Sequence, residues 1–462
     1  MALEDVLYPF LNLYHRSPFW FKHFVGYFYR IIPNQIKYGK FYNEYANRII
    51  RFQKLNKAET QQETEKLLIK NVNQAINNIE FYKNYKAIKS IDDFQNLPII
   101  TKDVINSNRS LFLNNKKQSY FLKANTGGSS GTPFTFYIHK GKTRPKEKAH
   151  FDWYWGNNGY QKGKPILMIR GKSLKNNKAF EYNSLDNKLI LNCNLINEAT
   201  IHKINKKISS FKPEFIHAYP SSLSIFTKVY KAYVNSNKFA LNVNTVYLGS
   251  EGLSDIDLNN FKLFYNANIV NWYGHSECLA HAGRDAQTGN FEFHSFYGYV
   301  ELLDENDNVI TSTNKIGKII ATGFDNEVMP LVRYDTGDFG EISDVNEFQN
   351  SAIVILKNIE GRDKSVIYLK DGTEVSLTSL IFGEHHKEFE FIKEIQIIQN
   401  KLGEIFVHIV QLKEMSEKEI KGFKKSLQNK VAVNTLDVTI KVVEKIKKTP
   451  RGKHILLLQN LK

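Results

Sequence analysis

The chain has 462 residues, 42% of them hydrophobic, which is enough apolar material to fill two or more cores. Its 63 Lys and Arg outnumber its 47 Asp and Glu, and the charge of +16 suits nucleic acid, anionic lipid or phosphorylated small molecules. The two cysteines, Cys193 and Cys278, exclude a disulfide framework. The acidic N-terminal residues and the lack of an uncharged apolar run of bilayer length argue against a secretory leader or a membrane span, so we expect a cytoplasmic, multidomain protein.

The basic residues are spread along the whole chain, and many stand beside Asn, as in Asn114-Asn-Lys-Lys117 and Asn176-Asn-Lys178. A nucleic-acid-binding protein would gather Lys and Arg with interleaved aromatics on one element. The spread indicates a compositional bias toward Lys and Asn instead, and no nucleic-acid partner is predicted.

Residues 1–95 have a helical pattern, clearest from Thr60 to Asn78, where apolar residues recur at helical spacing. Before this helix, the stretch from Tyr8 to Tyr29 is rich in aromatics among basic side chains, and such a segment can lie in a membrane interface. Packing against the body is the commoner fate of aromatic helices in a large protein, and we expect it here, with peripheral membrane contact as the alternative. The aromatics concerned are Phe10, Trp20, Phe21, Phe24 and Phe28.

Short apolar runs alternate with helical patterns between about residues 120 and 340, which predicts that residues 96–362 form a large α/β domain. A helix is expected over residues 221–234. The strand candidates are Phe134–Tyr137, Pro165–Ile169, Phe215–Ala218, Thr245–Leu248, Ala267–Val270 and Gly317–Ala321.

Residues 363–462 are predicted to form a smaller α+β lid domain, with the boundary near Gly361-Arg-Asp-Lys364. Its expected elements are strands near Ile392–Gln399 and Glu404–Gln411, a helix over Glu417–Lys430 and a strand over Leu436–Val443.

A glycine and hydroxyl run, Asn125-Thr-Gly-Gly-Ser-Ser-Gly-Thr-Pro133, precedes the strand at Phe134. Glycines let a backbone approach an anion closely, and hydroxyls add donors, so the run is compatible with a phosphate cradle as well as with a flexible loop. It lacks the Lys and Ser/Thr that complete a P-loop. The candidate phosphate contacts are Thr126, Gly127, Gly128, Ser129, Ser130, Gly131 and Thr132.

This run is the first of an ordered series of motifs that resembles the adenylate-forming superfamily of acyl-CoA synthetases, luciferases and peptide-synthetase adenylation domains. Within that superfamily the chain looks most like the phenylacetate:CoA ligase branch, and particularly like the homologues found with capsular polysaccharide genes. The resemblance covers residues from about 80 to 455. The later members of the series are Leu248-Gly-Ser-Glu-Gly-Leu253, Tyr273-Gly-His-Ser-Glu277, Arg333-Tyr-Asp-Thr-Gly-Asp338, Gly361-Arg-Asp-Lys364 and Thr449-Pro-Arg-Gly-Lys453, and the branch-level segments are Leu97-Pro-Ile-Ile-Thr-Lys-Asp103, Ala218-Tyr-Pro-Ser-Ser222 and Met329-Pro-Leu-Val-Arg-Tyr334.

The resemblance implies an ATP-dependent, AMP-forming ligase that joins a carboxylic acid to AMP with Mg²⁺ and then passes the acyl group to an acceptor. CoA is the leading acceptor, and an amine, a hydroxyl or a carrier-protein thiol, for example in cell-surface polysaccharide synthesis, is the alternative. The partners expected are therefore small molecules rather than macromolecules.

The resemblance also assigns roles to single residues. Tyr273 and Gly274 would lie against adenine together with Gly249, Ser250 and Glu251. Ser276 would contact the α-phosphate, Glu277 would bind magnesium, Asp338 would accept from the ribose hydroxyls and Arg362 would be a further nucleotide contact. Taken singly, these residues are also compatible with a core tyrosine, a solvated glutamate, a turn aspartate and a surface arginine.

Two lysines are assigned in the same way. Lys453 matches the catalytic lysine of the family's terminal loop, where a cation stabilises the negative charge that develops at the α-phosphate. Lys364 stands at the family's interdomain hinge, where the small domain rotates between half-reactions.

The acyl pocket is expected by position to involve Tyr219, Trp272, His275 and Tyr297. Some relatives carry a metal cluster after the Tyr-Gly-x-Ser-Glu segment, and the candidates here are Cys278, His281 and His294. A closed zinc site takes four ligands, so we favour a pocket-lining or core role for these three.

Overall fold

The computed structural model describes residues 3–125, 134–170, 174, 178–236, 239–253, 255–343, 353–360, 366–382, 388, 391–411, 414–447 and 456–461. Several predicted site residues lie outside the described residues, namely the whole of the phosphate-loop candidate from Thr126 to Thr132, Arg362, the hinge candidate Lys364 and Lys453.

The N-terminal part is helical. Its longest helix starts at Asn56, whose side chain and that of Glu59 form a reciprocal capping box, and it buries Leu68, Val72 and Ile76 on one face, as the apolar spacing predicts. No helix among the described residues has both the length and the apolar character needed to cross a bilayer. The helices are α1 (Leu3–Leu7), α2 (Leu11–Arg16), α3 (Phe19–Ile31), α4 (Asn34–Phe52), α5 (Lys57–Asn78), α6 (Ile91–Gln95) and α7 (Lys102–Ser107), with short 3-10 turns at Tyr8–Phe10, Glu80–Tyr82, Arg109–Phe112 and Asn115–Tyr120.

The aromatic stretch packs against the body with only part of its surface. Within α3 only Gly26 is buried, because it is the residue that meets the rest of the protein closely. The large apolar side chains recur on the other side of the helix and face water. The expectation of packing is therefore wrong for the five aromatics on which it was made, Phe10, Trp20, Phe21, Phe24 and Phe28, all of which are exposed.

The central part alternates strands and helices, which confirms the predicted α/β class. The strands fall within a few residues of the six predicted apolar runs, and the predicted helix over residues 221–234 is also found. The elements are β1 (Phe121–Asn125), β2 (Thr135–His139), α8 (Thr143–Asn157), β3 (Ile166–Ile169), β4 (Phe180–Asn183), β5 (Lys188–Leu191), a 3-10 turn (Cys193–Leu195), α9 (Glu198–Phe211), β6 (Phe215–Ala218), α10 (Pro220–Val234), β7 (Thr245–Gly249), α11 (Asp255–Tyr265), β8 (Asn268–Gly274), β9 (His281–Arg284), β10 (Phe291–Phe293), β11 (Gly298–Leu303), β12 (Ile316–Gly323), β13 (Tyr334–Ile342) and β14 (Ile355–Glu360).

Within the described residues the main sheet has the strand order β11-β12-β13-β14-β10-β9-β8-β7-β6-β3-β5-β4. The run β5-β3-β6-β7-β8 is parallel, and the strands outside it pair antiparallel. Residues of β6 and β7 are buried throughout, as expected for parallel strands covered on both faces.

The register of the parallel strands sets the position of the site. Ile169, Ala218, Leu248 and Asn271 pair in one row across β3, β6, β7 and β8. The residues that follow this row therefore leave the sheet at the same carboxyl edge, where ligands bind in open α/β sheets.

The C-terminal part is a separate α+β unit with its own apolar core, as predicted. Its four-stranded sheet has the order β19-β18-β17-β20. The boundaries at residues 95, 362 and 363 remain predictions. The elements are β15 (Val366–Tyr368), β16 (Glu374–Ser376), α12 (Leu377–Phe382), β17 (Ile392–Lys401), β18 (Glu404–Gln411), α13 (Glu417–Gln428), β19 (Asp437–Val442) and β20 (Leu457–Gln459).

A buried arginine joins the N-terminal helices to the sheet. Arg333, directly before β13, is 4% exposed and makes two hydrogen bonds of 3.1 and 3.2 Å to the carboxylate of Glu301 on β11. It also donates to the backbone carbonyls of Gln95 and Leu97. Burial raises the pKa of Glu301, which the arginine opposes.

We predict that Arg333→Ala lowers the free energy of unfolding by about 3–5 kcal/mol, because it leaves the Glu301 carboxylate buried without its ion-pair partner. Urea denaturation measures the change. Lys421→Ala is the matched control, since the Lys421–Glu417 pair of 3.3 Å is exposed on both sides and is worth at most about 0.5 kcal/mol. Equal losses in the two variants would contradict a structural role for Arg333.

Candidate nucleotide and acyl site

A cleft of about 2490 Å³ runs along the carboxyl edge of the parallel strands. It also reaches the C-terminal part, where the turn between β15 and β16 and the residues after α13 line it. Most of the described residues that the sequence predicts for the site line this cleft: Tyr219, Ser250, Glu251, Trp272, Tyr273, Gly274, His275, Ser276, Glu277, Tyr297 and Asp338.

Two predicted nucleotide residues that are far apart in sequence meet in the cleft. The Tyr273 hydroxyl, near the end of β8, donates a 2.8 Å hydrogen bond to Asp338 on β13. Gly337 has φ of +77°, a conformation that glycine adopts without strain, and the Asp338 amide donates to the Thr336 hydroxyl at 3.1 Å. The Asp-Thr-Gly-Asp segment lies where the register between β12 and β13 is irregular, and its last residue, Asp338, meets the tyrosine.

Ser276 and Glu277 lie two and three residues after the end of β8. Ser276 is exposed, whereas Glu277 is 6% exposed and accepts a 3.2 Å hydrogen bond from the Tyr334 hydroxyl. A buried carboxylate that lines a cleft offers oxygen ligands of the kind magnesium prefers, so the residues present fit this cation. The contribution of Tyr334 is absent from the sequence prediction, although Tyr334 stands in one of the quoted motifs.

Gly249 ends β7 and pairs with Trp272 of β8, and it does not itself line the cleft. A Cβ at Gly249 would lie 2.5 Å from the Trp272 indole, so only glycine leaves room for that ring. The next residue, Ser250, has φ of +70°, which is strained for a residue with a side chain. The end of β7 thus combines a position that only glycine fits with a strained serine directly after it.

Arg170 is a cleft residue that sequence reasoning missed. Its guanidinium lies 3.3 Å from both the Tyr219 hydroxyl and the Ser250 hydroxyl, and 4.6 Å from the centre of the Tyr219 ring. It is the first residue after β3, and its place after an apolar run is the signal that could have found it. The arginine adds a fixed positive charge to the predicted acyl side of the cleft.

The deep wall of the cleft is aromatic and buried. Tyr297 is 2% exposed and donates to the Glu147 carboxylate, while Lys146 lies 4.1 Å from the centre of the Tyr297 ring. Burial raises the pKa of Glu147 and lowers that of Lys146. Further along the wall, Phe151, Trp155 and Trp272 present ring surfaces.

Three histidines from separate elements cluster beside this wall, and one of them, His281, lines the cleft itself. His150 of α8, His281 of β9 and His294 after β10 place one ring nitrogen each within 4.8 Å of one another, and His294 Nδ1 lies 3.3 Å from His150 Nε2. Burial lowers the pKa of all three, that of His294 to about 3. These neutral rings are the described residues best placed to share a metal ion.

Of the predicted metal candidates, the structure thus brings together His281 and His294 but not Cys278. The Cys278 thiol instead donates to the Ser276 carbonyl at 3.3 Å. His150, which is distant in sequence, takes its place in the group.

Comparisons with known proteins agree with this architecture. Residues 367–460 match the CapK C-terminal domain family. The chain is 25% identical over 468 residues to protein CapK of Staphylococcus aureus, covering 97% of this chain and 99% of that one. Among solved structures, 2-hydroxyisobutyryl-CoA ligase with 2-HIB-AMP and CoA superposes with a TM-score of 0.55 at 13% identity, covering 88% of this chain and 91% of that chain. The same ligase in its postadenylation state with R3-HIB-AMP superposes with a TM-score of 0.51 at 13% identity, covering 87% of this chain and 90% of that chain.

The fold is therefore that of 2-hydroxyisobutyryl-CoA ligase, so the predicted resemblance to CoA ligases is confirmed at the level of the fold, and the predicted resemblance to capsule-associated homologues agrees with the match to CapK over nearly the whole chain. The phenylacetate branch and the roles of single residues remain proposals.

We predict that Gly249→Ala destabilises the protein by about 1–3 kcal/mol, because the added methyl group forces the Trp272 ring to move. Thermal unfolding together with tryptophan fluorescence measures both effects. Gly252→Ala is the matched control, since a Cβ there meets no atom within 4 Å. The predicted contact is refuted by a Gly249→Ala variant as stable as Gly252→Ala.

Proposed function

Because the fold is that of the adenylate-forming CoA ligases, we propose that this protein activates a carboxylic acid with ATP. A carboxylate oxygen attacks the α-phosphorus, the bond to pyrophosphate breaks, and acyl-AMP remains in the cleft. The acyl group then passes to the CoA thiol, and AMP leaves. The observation that carries the proposal is the Tyr273–Asp338 hydrogen bond of 2.8 Å, which joins two motifs of the predicted nucleotide site at one edge of the sheet.

The nucleoside half of ATP is assigned to the carboxyl ends of β7 and β8. Tyr273 offers a ring for adenine, and Ser250 and Glu251, which follow Gly249 and line the cleft, offer backbone groups around it. Asp338 accepts from the ribose hydroxyls, a role suited to an ionised carboxylate because it offers acceptors only. Arg362, outside the described residues, is proposed as a further contact.

The phosphates are assigned to the loop after β8 and to the glycine and hydroxyl run at residues 126–132. Ser276 is exposed to the cleft and supplies a hydroxyl for the α-phosphate. Glu277, held by Tyr334, would bind Mg²⁺, which neutralises charge on the phosphate oxygens. Lys453 would add a cation where charge develops during attack.

The acid is assigned to the aromatic wall. Phe151, Trp155 and Trp272 provide flat apolar surfaces that exclude water from the acyl chain. This lining supports an aryl or other apolar acid and the phenylacetate-like branch. Tyr219, His275 and Tyr297 complete the pocket, and Arg170 holds a positive charge at its edge.

Transfer of the acyl group would follow rotation of the C-terminal part about Lys364. The turn of β15 and β16, with Asp371, Gly372 and Thr373, lines the cleft in the structure and so has access to an acyl-adenylate bound there. CoA is the proposed acceptor. An amine, a hydroxyl or a carrier-protein thiol would use the same first half-reaction.

A pyrophosphate-exchange screen of aryl, fatty and amino acids, followed by product analysis with and without CoA, tests this function. We expect exchange with one acid class, and formation of a CoA thioester when that acid and CoA are both present.

Lys453→Ala should slow exchange by about 10²-fold or more through loss of a cation that acts on the developing charge. Lys445→Ala, which removes an exposed lysine of the same part of the chain, should exchange at the wild-type rate.

If exchange occurs but no thioester forms, adenylation remains the proposed first step and CoA is not the acceptor. Absence of exchange with every acid, in a protein that unfolds cooperatively, would refute the proposed function.

A second prediction concerns the nucleotide alone. Asp338→Ala should weaken ATP binding by about 10–100-fold, because it removes a charged acceptor worth about 1.5–3 kcal/mol. Tyr273→Phe, which removes only the hydroxyl that donates to Asp338, should weaken it less. Calorimetric titration measures both, with Asp307→Asn as an exposed acidic control outside the cleft. Unchanged affinity in Asp338→Ala would remove this residue from the site.

A further inference from the structure

Helix α3 carries a continuous row of exposed apolar side chains. Trp20, Phe24, Tyr27, Phe28 and Ile31 recur at intervals of three or four residues, which is the spacing of one helical face. Their exposures are 70, 59, 55, 52 and 61% respectively. We call these five side chains the aromatic face. A protein surrounded only by water rarely leaves so many large apolar groups exposed on one element.

The opposite side of α3 fixes the helix to the body. A Cβ at Gly26 would lie 2.5 Å from the Ser184 carbonyl oxygen, so helix and body are in direct contact there. Arg30 donates to the same carbonyl, and Tyr29 donates to the Glu4 carboxylate. Because these contacts prevent the helix from turning, the aromatic face is held away from the body.

The charges within the stretch of sequence that carries the aromatic face are of one sign. Between Val6 and Asn43 the sequence contains no Asp or Glu, but it contains Arg16, Lys22, Arg30, Lys37 and Lys40, of which Lys37 is buried and Arg30 is bonded to the body. Arg16 and Lys40 are exposed, as are the two histidines of this stretch, His15 and His23. An apolar aromatic face bordered by cations is the pattern of a helix that lies in the plane of an anionic membrane surface.

We propose that the aromatic face docks on an anionic lipid bilayer, with α3 lying parallel to the surface. Tryptophan, tyrosine and phenylalanine insert at the level of the headgroups, and the flanking cations pair with lipid phosphates. A second copy of the chain fits the face less well, since each copy carries a charge of +16 and would bring another basic surface against it.

Docking in this way would bring the cleft close to the membrane. Tyr29 and Arg30 of α3 and Lys37 of α4 are among the residues that line the cleft. Substrates at the bilayer surface would therefore have a short path to the cleft. The docking itself does not depend on the proposed function.

Vesicle co-sedimentation of the full chain tests the proposal, with vesicles of equimolar phosphatidylglycerol and phosphatidylcholine and with phosphatidylcholine alone. We expect binding to the anionic vesicles, weaker binding to the neutral ones, and a shift of Trp20 emission to shorter wavelength on binding. The triple variant Trp20→Ser, Phe24→Ser, Phe28→Ser should bind at least about tenfold more weakly, because interfacial affinity scales with inserted apolar area. Arg16→Gln should weaken binding to anionic vesicles by about fivefold.

The matched control is Leu263→Ser, Leu402→Ser, Val433→Ser, which removes exposed apolar side chains elsewhere in the chain and should bind like the wild type. Thermal unfolding checks that both triple variants fold. Failure of the wild type to bind anionic vesicles, or equal binding by the α3 variant, would overturn the proposal. Sedimentation velocity tests the other occupant. A wild-type dimer that is lost in the α3 variant and kept in the control variant would also overturn the proposal, since a second copy would then cover the aromatic face.

Discussion

The buried contact between Arg333 and Glu301 is the constraint on which the site depends. Two charges removed from water are stable only when they are paired and fully hydrogen-bonded, and Arg333 meets that condition through Glu301 and two backbone carbonyls. The arginine stands at the start of β13. It therefore fixes the strand that carries Tyr334, the partner of Glu277, and Asp338, the partner of Tyr273.

The second constraint is the shared edge of the parallel strands. Because the residues of these strands pair in register, the side chains that follow β3, β6, β7 and β8 lie close together although they are far apart in sequence. The Trp272 indole lies so close to Gly249 that only glycine fits at the end of β7, and the next residue, Ser250, has an unfavourable φ. Packing between two neighbouring strands thus restricts which residue can stand beside the proposed adenine pocket.

The role of the positive charge depends on where the basic side chains lie in the structure. A polyanionic substrate such as ATP benefits from cations in the walls of a cleft, and Arg170 and Lys430 line this one. In the N-terminal helices the cations have another proposed role, because they border an apolar face that is held away from the body. The excess of Lys and Arg therefore has two proposed roles: it attracts the nucleotide to the cleft and anionic lipid to the aromatic face of α3.

The sequence alone determined the fold class, the helix α5, the approximate positions of the parallel strands and the motif order that predicts the site, because these depend on local periodicity and on turn chemistry. It did not determine that Tyr273 meets Asp338, that Arg170 and Tyr334 belong to the cleft, or that His150 joins His281 and His294. Those contacts connect residues far apart in the chain, and only strand register and packing bring them together. The aromatic stretch shows the same limit: spacing reveals that α3 has an apolar face, but only the tertiary structure decides which side of the helix the body covers.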